Sequence, residues 1–356
     1  MKKRFISFLI LICLCFSLAI PAYALTTTNE IQSYITEETL MVYTINQNSG
    51  VQVTPIESYL VYDVSGNPTY VCVEFIYNNI SGFGLIDLVN FNVIMYTLDG
   101  KPFFTSGDTV LYNGVMDFAI IDQNSGTAVI CGNNEQVDLS TLMNDSRSGL
   151  TVMSSLDRER RLNSFISTFS TTQTRAVEDV LIPGGDDETL VYSSGNYSGD
   201  KSTDCGLNAA AIYLRHMDEY VLDVYVPSNQ STQEDLKVAL AEIAETAVGS
   251  TTSLSMSKIA TTINAYIDEY SGSSAVDVSN SSYSWTKYKN RIADEKPCIL
   301  YIGAGDTTYW EKAHAVVGVG YTGGATSSSG YLIVNSGFQS YKYVNILTTI
   351  PGYIIK

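Results

Sequence analysis

One cysteine, one histidine and one asparagine are spaced along this chain so that together they could carry nucleophilic chemistry at a thiol. The stretch Asp204-Cys205-Gly206-Leu207-Asn208-Ala209-Ala210-Ala211 places Cys205 at the opening of a helical pattern. Asp204 is a good N-cap, and Leu207, Ala210, Ala211, Leu214 and Met217 recur at the spacing of an amphipathic helix. The sulfur then lies in the first turn, where unpaired amide donors and the positive end of the helix dipole favour thiolate, the reactive form. Gly206 and Ala209 to Ala211 are small enough for neighbouring chain to pack closely. Taken alone, the stretch fits a buried packing cysteine as well as a nucleophile, because free cysteine is among the most buried residue types. Partners elsewhere in the chain must decide.

A nucleophilic cysteine needs a base, usually histidine, and the chain has only two. His216 follows Cys205 on the same helix and, at the α-helical rise, lies about 16 Å away along its axis, out of reach of the sulfur. His314 opens the apolar strand His314-Ala315-Val316-Val317-Gly318-Val319-Gly320-Tyr321 and is the remaining candidate. The turn-rich stretch 322–330 makes a hairpin to Tyr331-Leu332-Ile333-Val334-Asn335. An adjacent strand therefore ends in Asn335, an amide suited to orienting the imidazole and fixing its tautomer. The two separated histidines and the lack of a paired cysteine motif do not make a zinc site, and there is no G-x-S-x-G elbow or phosphate-binding glycine loop. No metal and no cofactor is expected.

Asp204-Cys205-Gly206 before a small-residue helix, Lys296-Pro297-Cys298-Ile299-Leu300, His314-Ala315-Val316-Val317 and Asn335-Ser336-Gly337 together resemble the papain-like cysteine peptidases. Within them the resemblance is to the C39-like branch, with streptopain-type enzymes as more distant relatives, and it covers residues from about 180 to 356. It implies a papain-like fold, a peptide or protein substrate, and a triad of Cys205 as nucleophile, His314 as base and Asn335 as orienting residue. It also implies an oxyanion site built from the Cys205 backbone amide and a glutamine six residues earlier. That position is Gly199, and no glutamine occurs between Glu178 and Cys205. Asn196 is the nearest chemical substitute, with Ser198 and Ser202 as further candidates. The resemblance also suggests a folded N-terminal prosegment that blocks the cleft.

The elements that must position these residues follow an α+β order, helices first and antiparallel strands afterwards. Ser231 and Glu234 read as a capping box for a helix lined by Leu236, Leu240, Ile243 and Ala247 and stopped by Gly249. A second helix carries Met256, Ile259, Ile263 and Tyr266 and ends near Gly272. Strands are expected at Cys298 to Ile302, where Cys298 should be a packed thiol, at His314 to Tyr321, at Tyr331 to Asn335, at Tyr341 to Leu347 and near Tyr353. Ahead of them, residues 57–130 are rich in β-branched and aromatic residues. Strand-like runs at Tyr59 to Tyr62, Tyr70 to Tyr77 and Val93 to Tyr96 are punctuated by Gly66-Asn67-Pro68 and Leu98-Asp99-Gly100, a pattern of antiparallel hairpins.

The organisation is then a signal peptide over 1–24, a β-rich N-terminal domain over 25–163, a Ser/Thr-rich linker over 164–175 ending at Arg175, and the cysteine peptidase-like domain over 176–356. Lys2, Lys3 and Arg4, the apolar run 5–20 and Ala22-Tyr23-Ala24 have the form of a cleaved secretory signal, so a secreted or cell-surface protein is expected. Losing those three basic residues takes the formal charge from -17 to -20. So acidic a surface argues against nucleic acid or anionic membrane as a partner. If a disulfide forms, Cys72 and Cys131 are the pair expected to make it. The composition also leaves room for a non-catalytic binding or adhesion protein on a degenerate peptidase fold, for a cell-wall peptide amidase with a Cys-His pair, and for a transglutaminase-like acyl transferase, which usually has Asp in third place. In the zymogen reading the N-terminal domain is the chain's own inhibitor; otherwise it is a permanent docking domain.

Overall fold

Side chains that alternate along the N-terminal half fold into strands, and the small-residue and helically spaced runs after residue 204 fold into helices. The computed structural model describes residues 37–63, 66–105, 107–114, 117–131, 135–142, 180–185, 205–302, 314–323, 330–335, 337, 344–347 and 351–356. In chain order these form α1 (Glu37–Ser49), β1 (Thr54–Tyr62), β2 (Tyr70–Tyr77), β3 (Ile80–Asp87), β4 (Asn92–Thr97), β5 (Thr109–Gly114), β6 (Asp117–Asp122), β7 (Thr127–Ile130), β8 (Glu135–Asp138) and the one-turn α2 (Leu139–Leu142). After β9 (Val180–Leu181) come α3 (Cys205–His216), α4 (Gln233–Val248), α5 (Met256–Tyr270), β10 (Asn280–Ser282), α6 (Trp285–Ala293), β11 (Cys298–Ile302), β12 (His314–Gly323), β13 (Gly330–Asn335), β14 (Val344–Leu347) and β15 (Pro351–Ile355). The fold is mixed α+β. The signal, the 164–175 linker, Asp204, Asn196 and Gly199 lie outside the described residues.

The first four strands make the expected antiparallel hairpins. Asn78 and Asn79, with φ of 49° and 66°, turn β2 into β3 in the doubly left-handed geometry that suits the twist of a hairpin. The meander then breaks: β5 returns to pair in parallel with β1 through Val61↔Val110 and Tyr62↔Leu111, and β5 to β8 resume antiparallel order. Parallel pairing needs a crossover, and the chain from β4 back past β2 and β3 supplies it.

Two helix expectations are corrected. The cap of α4 is Thr232, whose side chain accepts from the Asp235 amide at 3.2 Å, so the box sits one residue later than Ser231 and Glu234 suggest. Gly249, at φ 66°, stops the helix as expected. Helix α3 is not amphipathic in place: residues from Gly206 to Leu214 are all buried, because it packs on α4, α5, β11 and β12 at once.

The strands form one continuous sheet in the order β10-β15-β11-β12-β13-β14-β4-β3-β2-β1-β5-β6-β7-β8, with β9 beside β12. The sequence boundary between the two halves is therefore crossed by backbone pairing, Asn345↔Tyr96 and Ile346↔Met95. The joint is also buried. The Tyr331 hydroxyl donates to the Val93 carbonyl at 2.7 Å, its ring lies 5.3 Å from that of Tyr96, and the Thr322 hydroxyl donates to the Asn48 carbonyl at the end of α1. Leu40, Met41 and Ile45 of α1 share one apolar cluster with Phe75, Tyr96 and Tyr331.

A tryptic cut after Arg175 should therefore leave the two pieces associated. They should co-elute on size exclusion in native buffer and part only in denaturant; elution of 176–356 by itself would contradict the joint. Tyr331→Phe, which strips the Val93 carbonyl of a buried donor, should lower stability by about 1 kcal/mol, read from the denaturant midpoint.

Candidate active site

Helix α3 is anchored at its far end. The Tyr213 hydroxyl accepts from Arg291 Nη2 at 2.9 Å, and Arg291 Nε donates to the Pro297 carbonyl at 2.9 Å, immediately ahead of β11. Tyr213 thus lies at the start of β11. The helix spans about 18 Å and the strand about 17 Å, so a helix running back along the strand brings its first residue to the strand's last. The Tyr301 phenol is pushed up chiefly by burial and further by the neighbouring Cys205, in agreement with this placement. Tyr301 pairs with Ala315, and the next pair along is Ile302↔His314.

A second tie fixes the neighbouring strand. Asn208, one turn after Cys205, donates from Nδ2 to the Gly337 carbonyl at 3.2 Å. Gly337 in turn donates its N–H to Asn335 Oδ1 at 3.0 Å. Cys205, His314 and Asn335 therefore gather at one end of the sheet, where β11 and β13 end and β12 begins. Cys205 and His314 are half-buried and Asn335 is 3% exposed. Asn335 pairs with Val317, so it stands at the same sheet end as His314 on the adjacent strand, three residues out of register with it.

Residues 192–345 match the model of the Peptidase_C39 like family. That part of the chain is similar to the C39-like peptidases. The matched span takes in Cys205, His314 and Asn335 and closes on Asn345, the residue paired to Tyr96. No curated protein matches the chain.

The other titratable candidates of the C39-like segment sit apart from this end. His216 is buried at the last position of α3, with its ring 5.1 Å from that of Tyr220. Cys298 is the packed thiol expected. Burial pushes it up to about 12, partly offset by Arg291 and by the Gly318 amide. Tyr213 is likewise pushed up to about 12 by burial, offset in part by Arg291. In the N-terminal half, Cys72 and Cys131, the pair named should a disulfide form, are both buried thiols within one large apolar cluster, and burial raises Cys72 far above the ordinary thiol range. A folded core already surrounds both, so no cross-link is needed to hold these strands. Two residues of the site went unmarked in the sequence. Asn208 carried a readable signal, as a polar residue within an otherwise apolar helical run; Tyr301 carried none, since a tyrosine in a strand is ordinary.

Iodoacetamide at neutral pH should therefore label Cys205 well before Cys298, Cys72 or Cys131; equal labelling in the folded protein, read by peptide mass mapping, would contradict this. Cys298 and Tyr213 stay protonated in the folded chain well above their ordinary values of 9.0 and 10.0. The stability they contribute is full below pH 9.0 and is lost as pH rises toward about 12. Tm should accordingly be insensitive to these groups from neutral pH to 9 and fall above it.

Proposed function

We propose that the protein is an exported cysteine peptidase that hydrolyses peptide bonds through a thioester acyl-enzyme, with Cys205 as nucleophile, His314 as general base and acid, and Asn335 orienting the imidazole. The observation that supports this reading is the tie of the Cys205 helix at both ends, Tyr213 to Arg291 at one and Asn208 to Gly337 at the other, toward the end of the sheet at which β12 begins with His314.

His314 takes the Cys205 thiol proton, and the sulfur attacks the scissile carbonyl carbon, forming a C–S bond while the carbonyl electron pair moves onto oxygen. That oxyanion accepts from the Cys205 amide. Collapse breaks the C–N bond, and the His314 imidazolium gives its proton to the departing amine. Water then adds to the thioester as His314 takes its proton, and the C–S bond breaks as the imidazolium hands that proton to the departing sulfur, returning the thiol and neutral His314. Asn335 is held for its part: its Oδ1 accepts from Gly337 N–H, which fixes the plane of the carboxamide.

Export rests on Lys2, Lys3, Arg4 and the apolar run up to Ala24. In the same reading the chain is made as a precursor, and the N-terminal strands restrain the site until the linker is cut at Arg175. In support, β4 ends beside the start of β14, and Val344 of β14 pairs with Val334, next to Asn335. The segment following β4 therefore leaves the sheet on the side of the site.

The departure at Gly199 favours a second reading, a binding protein on a degenerate peptidase scaffold. The two part on one experiment with reduced precursor and trypsin-nicked protein. Casein hydrolysis that disappears in Cys205→Ala and falls about 10²–10⁴-fold in His314→Ala supports the peptidase. Activity on peptidoglycan peptides with none on casein supports the amidase, and no hydrolysis of either with an intact Cys205 supports the binding protein.

A further inference from the structure

Asn208 is 2% exposed on a helix whose other residues up to Leu214 are nearly all apolar or glycine. Its Nδ2 is committed to the Gly337 carbonyl, while its Oδ1 is buried with no hydrogen-bond partner among the described residues. The amide cannot be turned over to relieve this, because Oδ1 would then face another acceptor. A buried acceptor left unmet lowers stability, and leucine, of similar size, would fill the same space without that loss. What leucine could not do is hold Gly337.

Gly337 occupies the left-handed region at φ 80°, which favours glycine, and is held on both sides: its N–H by Asn335 and its carbonyl by Asn208. The path Cys205 helix, Asn208, Gly337, Asn335 is thus a continuous chain of covalent and hydrogen bonds joining the nucleophile's helix to the third residue of the triad. We propose that Asn208 is a positioning residue, which fixes the Asn335 carboxamide relative to Cys205 by clamping the turn at Gly337. The inference rests on the peptidase reading for its consequence, and on the hydrogen bonds alone for the coupling.

The test uses the full chain, assayed before and after the cut at Arg175, with Asn208→Leu, Asn208→Ser, Asn335→Ala and the double variants of each Asn208 substitution with Asn335→Ala. Measured for each are Tm, kcat and KM on a peptide substrate, and the pH profile of Cys205 alkylation by iodoacetamide. Asn208→Leu should keep or raise Tm while kcat falls about tenfold or more with KM nearly unchanged, and its alkylation profile should move toward that of Asn335→Ala. Each double variant should lose no more than Asn335→Ala alone, since one residue acts through the other. Asn208→Ser, too short to span to Gly337, should repeat the loss and keeps the test open should the leucine variant not fold. A lower Tm with kcat and the alkylation profile unchanged would make Asn208 merely structural, and additive losses in the double variants would break the link to Asn335. If the parent chain hydrolyses nothing either before or after the cut at Arg175, the peptidase reading fails, and the alkylation profiles of the single and double variants still decide the coupling.

Discussion

The enclosure of α3 is the constraint on which the remaining geometry depends. A helix that touched the body on one stripe could roll or slide, and its first residue would move with it. This one is closed in by two helices and two strands, and its small residues let them come near. At Gly206 a Cβ would lie 3.0 Å from the Ile259 side chain and 3.2 Å from Leu254. Interiors this close-packed do not deform continuously. The position of the residue that opens the helix is therefore set by packing, without any need for a rigid loop in front of it.

The sheet supplies the other half of the geometry through the ends of its strands. β11 stops where β12 starts, β13 stops three residues further along β12, and antiparallel pairing locks those levels together. Hydrogen bonds from Arg291 and Asn208 then pin the helix to that ladder at two heights. Three residues from distant parts of the sequence are brought to one end of the sheet because two rigid elements share two fixed points.

Much of this was legible in the residues. The helical run from Cys205, the strands at 298–302 and 330–335, and the role of His216 as a residue at the wrong end all follow from periodicity and rise per residue. Local signals could not give the register that puts Asn335 opposite Val317, which depends on an irregularity between Gly318 and Gly320. Nor could they give the parallel return of β5, which is a long-range pairing, or the complete burial of α3. That burial is decided by how many neighbours arrive, and Ala-rich sequence permits it without requiring it. Helices α1 and α6 were passed over for a related reason: Glu37–Ser49 has almost no apolar stripe, and α6 is short and rich in polar residues, so docking against the body defines both.

The pairing of β14 with β4 has a bearing on solubility as well as architecture. An outermost strand with open amides and carbonyls is a template for any other extended chain it meets. β14 is such a strand for the helical half of the molecule, and β4 occupies it. The N-terminal meander in effect passes that exposed rim outward, strand by strand, to β8, whose four residues include two acidic ones. A short, charged final strand is a poor template, so the long sheet ends where self-association is least favoured.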